Sequence, residues 1–426
     1  MTGASDTPTL RRALGRWDLT AIGVNQVIGS AIFLLPADVA VRVGNWGPIA
    51  FLAVGLLSLS IALCFAETGS RYDTTGGPIL PAREAFGRFI GFEVGWMLWF
   101  ARVTSHASVV NGLTLALGFY WPGLSTGIPR MATITALTIV LTWINVRGVK
   151  QSSWVVNALT IGKLAPLAIF ILVGIFYIDG AKLSPLPPVT RDQVSSALIL
   201  LIFAYGGYEV TGILAGEARN PRKDVPFAFV AALLIVATVM TLTSLVATGV
   251  LPDVAATRTP LADGAAIFLG AAGAALISAG SVVSMTGNNM GQLLNGSRTL
   301  FALAESRDLP RWFGYVHPAY RTPSNAILFS AVVAIVLALT GSFVTLAAVS
   351  AIARLVMYVA VCIATLVLRK RLGRADFTIP LGPVIPIVAS VVAFAILAGA
   401  TQSQLIAGAA ALAAGAVLYI LAPKGN

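Results

Sequence analysis

Arg102, Lys163, Glu209 and Arg354 stand inside runs of this 426-residue sequence that are otherwise apolar. An ionisable side chain in hydrocarbon is costly unless it is paired or lines a polar site. Such groups could hold a charged solute, exchange a proton with it, or hold one another. Glu209 has the most telling surroundings. It follows Gly206-Gly207 in the stretch FAYGGYEVTGILAGEARNPRKDVP, from Phe203 to Pro226, which begins apolar and ends basic. A glycine pair interrupts a helix. Irregular backbone is tolerated at membrane depth only where it is buried or lines a cavity. A broken helix beside a carboxylate therefore points to the binding centre of a transporter rather than to a passive anchor.

Other chemistry finds little support. There is no convincing P-loop, nucleophile triad or metal-ligand cluster, and His106 and His317 are the only histidines. The sequence predicts no enzyme activity, no cofactor, no bound metal and no ATP-driven pumping by this chain alone. Cys64 and Cys362 both fall in apolar runs and read as small buried hydrophobes, not as a disulfide framework.

The elements that must position these groups are membrane helices. The chain is 57% hydrophobic and 11% charged, with mean hydropathy +0.87. Soluble domains carry about twice that charged fraction. Apolar runs of roughly 17–25 residues predict an all-α polytopic membrane protein. Twelve spans are expected, at 19–41, 48–67, 89–118, 131–146, 154–178, 194–216, 226–250, 265–303, 325–341, 343–368, 383–400 and 404–421. The long third and eighth spans are expected to tilt or to extend beyond the bilayer. Long rather than alternating apolar runs argue against a β-barrel.

The net charge of +11 does not indicate nucleic-acid binding, because the basic residues lie in short loops between spans. They read as topology signals and contacts to anionic membrane lipids. With the N-terminus inside, twenty basic residues fall on the inner side, from Arg11, Arg12 and Arg16 through Lys150 to Lys424. Arg42, Arg130, Lys182, Arg191 and Arg258 fall outside, and Arg102, Lys163 and Arg354 fall within spans. That asymmetry places both termini in the cytoplasm. The first 18 residues are polar and basic, and no cleavable signal follows.

The pattern repeats. Gly23, Gly29 and Ser30 interrupt the first span, and Gly206 and Gly207 interrupt the sixth. Interruptions in the first helix of two five-helix halves mark an inverted-repeat transporter. The expected organisation is a cytoplasmic N-terminus at 1–18, a first repeat at 19–180, a second at 193–370, and two further helices at 383–421.

Three motifs carry a family resemblance. Ile28-Gly29-Ser30-Ala31-Ile32-Phe33 resembles the I-G-S-G-I-F signature of amino acid–polyamine–organocation transporters. Phe203–Glu209, with Gly216-Glu217-Ala218-Arg219-Asn220-Pro221-Arg222 and Pro226, resembles that family's sixth-helix signature. Ser297-Arg298, the run ALAESRDLP from Ala302 to Pro310, and Pro323 resemble the eighth helix and its following loop. The resemblance covers most of the chain in order. It extends to bacterial amino acid permeases and, through Arg102-Val103-Thr104-Ser105, to the L-type exchangers.

The resemblance implies a LeuT-type 5+5 inverted repeat with helices 1 and 6 unwound. It implies that the amides of Ile28, Gly29, Ser30 and Ala31 hold a substrate α-carboxylate. Carbonyls around Phe203, Ala204, Tyr205 and Gly206 would meet the amine, and Phe203 would be the aromatic gate. Read from the residues alone, the same small residues could be helix packing, and Phe203 ordinary core. Ala31 departs from the family's third glycine, and its methyl group would narrow the site. Several sodium-independent relatives resemble this chain in a helix-5 lysine, so Lys163 could replace a coupling cation, with Ser281 and Ser284 as partners. A lysine there could equally snorkel to the interface.

Glu209 could titrate, hold an inner gate, or pair with Arg354 or Arg102. Arg102 and His106 share a helix face. His106 could carry protons or be a satisfied core histidine. Asn25-Gln26 and Asn288-Asn289 would satisfy freed backbone groups. The expected function is secondary transport of L-amino acids, small or neutral, with a proton as coupling ion, in a bacterial inner membrane. Exchange, carriage of polyamines or acidic amino acids, and a non-transporting sensor or scaffold are the alternatives. The sequence gives no oligomeric state.

Overall fold

A computed structural model describes residues 13–74, 76–148 and 153–422, and the side chains of all of these except 153–161. Positions 1–12 of the expected N-terminal segment lie outside the described residues, as do Lys150 and Lys424. The described chain is helical, and its one extended pairing is an isolated bridge between Leu14 and Ala218.

In chain order the helices are α1 (Arg16–Val27), α2 (Ala31–Val43), α3 (Gly47–Gly69), α4 (Ile79–Phe86), α5 (Arg88–Gly118), α6 (Gly127–Arg147), α7 (Ser153–Gly174) and α8 (Arg191–Tyr205). They continue as α9 (Val210–Ile213), α10 (Pro221–Val250), α11 (Pro260–Glu305), α12 (Ser324–Thr340), α13 (Phe343–Leu372), α14 (Val384–Ala398) and α15 (Gln402–Leu421). Each expected span falls on one of these helices or on a broken pair. The first is α1 and α2; the sixth is α8 and α9. The long eighth span is α11, bent at Gly270, whose φ of 64° is open to glycine but strained for other residues. The short helix α4 was not expected as a span, and its eight residues are too few to cross a bilayer.

Seven helical stretches among the described residues are long and apolar enough to cross a membrane, and three shorter apolar helices accompany them. Helix α5 is not one of the seven, although it is 31 residues long and mostly buried. Arg102, Thr104, Ser105, His106, Ser108 and Asn111 occupy one stretch of it and dilute its hydropathy. They face protein rather than lipid, since all are nearly or fully buried. The molecule's periphery is apolar instead, as at Leu56, Phe176 and Val391.

Local sequence sets the helix ends. Thr190 caps α8 through its hydroxyl and Gln193 returns the bond; Thr401 and Gln404 do the same at α15. Pro221 and Pro260 open α10 and α11, where a missing N–H costs nothing. Arg369, Lys370 and Arg371 close α13, favourable at a helix C-terminus.

The basic end of the bundle is pinned by buried carboxylates. Glu67, fully buried at the end of α3, accepts from Arg369 Nε and Nη2 at 2.5 Å each and from the Ile379 N–H at 2.9 Å. Asp308, also fully buried, takes Arg83 and, at 2.6 Å, Arg88. The chain's start joins this end: Leu14 N–H donates to the Glu217 carbonyl at 3.0 Å, and Arg219 N–H donates to the Leu14 carbonyl at 2.8 Å.

Removing one member of a buried ion pair strands the other. Glu67→Ala is therefore expected to cost about 3 kcal/mol, read as a lowered midpoint of thermal unfolding in detergent. An unchanged midpoint would show that Arg369 and the Ile379 amide find water instead.

Candidate functional site

Both helix breaks occur at the same place in the fold. Helix α1 stops at Val27, and Ile28 takes an extended conformation (φ −72°, ψ 91°) before α2 starts at Ala31. Helix α8 stops at Tyr205, Gly206 is extended, and Gly207 has φ 125°. A Cβ on Gly207 would lie 2.7 Å from the Gln26 carbonyl oxygen, so the two breaks touch through backbone. Glycine is required there for both φ and space.

The interruptions free carbonyls at the end of α1, and three side chains take them up. Lys163 on α7, fully buried, donates its ammonium to the Asn25 carbonyl at 2.9 Å, to Asn25 Oδ1 at 2.7 Å and to the Ile28 carbonyl at 3.0 Å. Those three acceptors match the three donors of an ammonium group. Ser284 on α11 donates to the carbonyls of Ile28 and Gly29 at 3.2 and 3.1 Å. Asn288 reaches the Gln26 carbonyl at 2.8 Å. Lys163 thus points into the bundle and not toward an interface. Ser281 does not reach it; its hydroxyl donates to the Ser278 carbonyl one turn back in its own helix.

The second break is tied by Glu209. Its Oε2 accepts from the Gly207 N–H at 2.8 Å, and its Oε1 accepts from Arg354 Nη1 at 2.8 Å and Tyr358 OH at 2.5 Å. Of the two arginines considered from sequence, Arg354 is the direct partner. Its Nη2 donates to Ser105 Oγ at 2.9 Å, Ser105 and Ser350 hydroxyls share a bond of 2.8 Å, and Ser350 donates to the Ala101 carbonyl at 2.8 Å. One network therefore joins α5, the α8–α9 break and α13.

Between the breaks lies a small cavity of about 10 Å³, close to the space one water needs. Gly29, Ser30 and Ala31 line it from the first break, Phe203 and Gly206 from the second, and Ser105, Asn288, Gln292 and Arg354 from the scaffold. Gln26 Oε1, Ser30 Oγ and Arg354 Nε are buried here without a hydrogen-bond partner. Phe203 meets Phe343 edge-on, with ring centroids 6.2 Å apart. Anything larger than water enters only if the lining parts.

Some expected site residues stand beside the cavity. Ile28 is buried at the break and contributes its carbonyl to Lys163 and Ser284. Tyr205 points away, its hydroxyl donating to the Phe51 carbonyl at 2.7 Å. Ala204 is buried in the last turn of α8. Arg102 donates only to Gln292 Oε1, at 3.3 Å, leaving Nε and Nη2 unpartnered. The His106 ring bridges the Asn289 carbonyl and Thr138 Oγ1, each at 3.3 Å, as a core histidine does.

Sequence reading missed Ser105, Ser350, Gln292 and Tyr358 as members of the site. A signal was present: Ser350, Arg354 and Tyr358 recur every four residues and so share one face of α13.

Below Glu209, Phe65, Tyr208, Phe229 and Tyr358 pack ring to ring, with centroids 5.7–6.1 Å apart. Phe65 and Phe229 also line a second small void with Thr68, Tyr72, Gly77 and Gly212.

Two broken membrane helices around a buried polar cavity define a polytopic permease. The chain matches the amino acid permease family over residues 14–422 and belongs to it. It is 30% identical to the methylthioribose transporter of Bacillus subtilis, over 92% of this chain and 88% of that protein. It is also 30% identical to the serine/threonine exchanger SteT of the same organism, over 91% of each chain. The branched-chain amino acid permease BcaP of that organism is likewise 30% identical, over 90% of this chain and 86% of the relative.

A methyl group at Gly206 would sit 2.5 Å from Arg354 Cζ and Nε. Gly206→Ala is therefore expected to displace the guanidinium and abolish ligand-induced thermal stabilisation, while helix content by circular dichroism stays at the parental value. Retained stabilisation would show that Arg354 need not lie against this glycine.

Proposed function

We propose that this protein is a secondary transporter of L-amino acids, small or neutral, working by alternating access across a bacterial inner membrane. The observation that carries this reading is the meeting of the two broken helices, α1–α2 and α8–α9, at one polar cavity. Free N–H groups at the start of α2, in Gly29-Ser30-Ala31, are suited to an α-carboxylate. The last turn of α8 presents the carbonyls around Phe203, Ala204 and Tyr205 to an amine. Phe203 closes the cavity as a gate against Phe343. The Ala31 methyl, within the lining, favours a small cargo.

The architecture we propose has twelve membrane-spanning helices. Two inverted five-helix repeats run over 19–180 and 193–370, helices at 383–421 stand outside them, and both termini are cytoplasmic. In that orientation Glu209, the aromatic cluster and the Glu67–Arg369 pair stack on the inward path and form its closed gate. Opening inward would part α3 and α9 from α13. Opening outward would part Phe203 from Phe343.

Lys163 is the coupling residue in this reading. Its ammonium sits on oxygens from the α1 break, where an inorganic cation would otherwise compensate the carbonyls. Losing a proton would take away a donor and loosen α1 from α7 and α11. Ser284 holds the same carbonyls and resists that loosening. Proton-driven uptake without sodium follows. Exchange of internal for external amino acid is the second reading, favoured by the similarity to a serine/threonine exchanger. Membrane lipids surround the apolar exterior in either case.

The deciding experiment is uptake of labelled L-amino acids into proteoliposomes, empty or preloaded, with and without an inward proton gradient. Accumulation in empty vesicles driven by the gradient is expected, without sodium. Uptake confined to preloaded vesicles would establish exchange instead, and no uptake of any amino acid by folded protein would refute the cargo class. Lys163→Ala is expected to remove the gradient's effect while the protein still reconstitutes; full pH-dependent uptake would rule Lys163 out as the coupling group. Phe203→Ala should lower uptake about tenfold or more at unchanged protein yield, as loss of a closing contact does. Normal uptake would end the gate assignment.

A further inference from the structure

We propose that Arg354 contacts the cargo's side chain through its free Nε–H and selects a short side chain that ends in an acceptor oxygen. This rests on the reading above, that the cargo is an amino acid whose carboxylate meets the α1–α2 break.

Arg354 is 1% exposed and lines the same cavity as Gly29, Ser30 and Ala31. Its guanidinium lies against Gly206, where only the missing side chain leaves room. Its orientation is fixed at both terminal nitrogens. Nη1 is held by Glu209, and Nη2 by Ser105, which is itself set by Ser350. Of its three nitrogens only Nε, buried, has no hydrogen-bond partner. A guanidinium cannot shed its proton to escape this state. A fixed, unsatisfied charged donor in a water-sized space is a preorganised contact for an oxygen that arrives with the cargo. Ser30 Oγ and Gln26 Oε1, also unpartnered, extend the polar wall.

The charges around the cavity point the same way. Arg354 is balanced by Glu209. Arg102, fully buried behind Gln292, makes no direct ion pair among the described residues and shares the field of Glu209, and Lys163 stands behind the first break on neutral oxygens. The surplus is positive, so it repels a cationic side chain and attracts a negative or electron-rich one. Ala31, Val109 and Phe203 bound the space and keep the side chain short. The class that fits is a hydroxyl, carboxamide or carboxylate one carbon beyond the α-carbon, as in serine, asparagine and aspartate. Polyamines and basic amino acids are excluded by the same charges.

The test uses the purified full chain. Thermal stabilisation in detergent is measured against rising concentrations of L-serine, L-asparagine, L-aspartate, L-2-aminobutyrate, L-alanine and L-2,3-diaminopropionate. At least one oxygen-bearing side chain is expected to reach half-maximal stabilisation at about tenfold lower concentration than 2-aminobutyrate, with no effect of diaminopropionate. Arg354→Lys keeps a charge for Glu209 but has no Nε–H in that position; it should bring serine and 2-aminobutyrate to within about twofold of each other. If 2-aminobutyrate and alanine stabilise the parent as well as the oxygen-bearing ligands, or if Arg354→Lys leaves the discrimination intact, the proposal is overturned while amino acid transport stands. If no amino acid stabilises the parent or enters proteoliposomes, the cargo class itself falls. Should Arg354→Lys fail to fold, the panel on the parent protein still decides.

Discussion

A helix that stops inside a bilayer leaves backbone groups that water cannot reach, and each must be met by something in the protein. Everything at the centre of this permease follows from that demand at two places. The end of α1 is met by Lys163, Ser284 and Asn288, which come from α7 and α11. The turn after α8 is met by Glu209, whose carboxylate caps the Gly207 amide and then requires Arg354 and Tyr358 from α13. The breaks thus recruit their supports from distant parts of the sequence, and those supports bind the scaffold to the broken helices.

The two supports differ in kind. At the first break a single cation faces neutral oxygens, so its hold depends on the ammonium keeping its protons. At the second, a carboxylate and a guanidinium face each other with hydrogen bonds on nearly every remaining atom. Paired and bonded, that cluster is costly to break. A mobile charge belongs where it lacks a counter-charge, and a fixed scaffold where it has one. This division underlies the proposed roles of Lys163 in coupling and Arg354 in recognition, although both are buried cations a few helices apart.

Much of this was legible in the sequence. Apolar runs gave the helices because lipid-facing surface needs them. Gly206-Gly207 marked the second break, because residues other than glycine rarely adopt φ 125°, as Gly207 does against a neighbouring carbonyl; Gly29 and Ser30 marked the first, whereas Gly23 lies inside the unbroken α1. Ionisable residues inside spans gave the site its charged members. What was not legible depended on which way a polar side chain turns. Ser281 and Ser284 lie one turn apart with the same chemistry, yet one bonds its own helix and the other bonds the α1 break. Small serines such as Ser105 and Ser350 carry no signal of their own, because their role exists only once Arg354 lies between α5 and the break. Helix α4 was missed because its eight residues carry too little periodicity to stand out.

The small volume of the cavity makes recognition and movement one event in the proposed mechanism. With room for about one water, the site cannot hold an amino acid in the arrangement described. Binding therefore has to follow an opening, and the contacts that close again must include the cargo itself. The buried polar atoms of Ser30, Gln26 and Arg354 find no partner within the protein. A cargo that supplies their partners lowers the free energy of the closed state relative to the open one. A ligand that fits the backbone of the two breaks but leaves Arg354 Nε unmet closes the site less well. Side-chain recognition at α13 would then act on the rate of crossing as well as on affinity, because closure around the cargo precedes release on the other side.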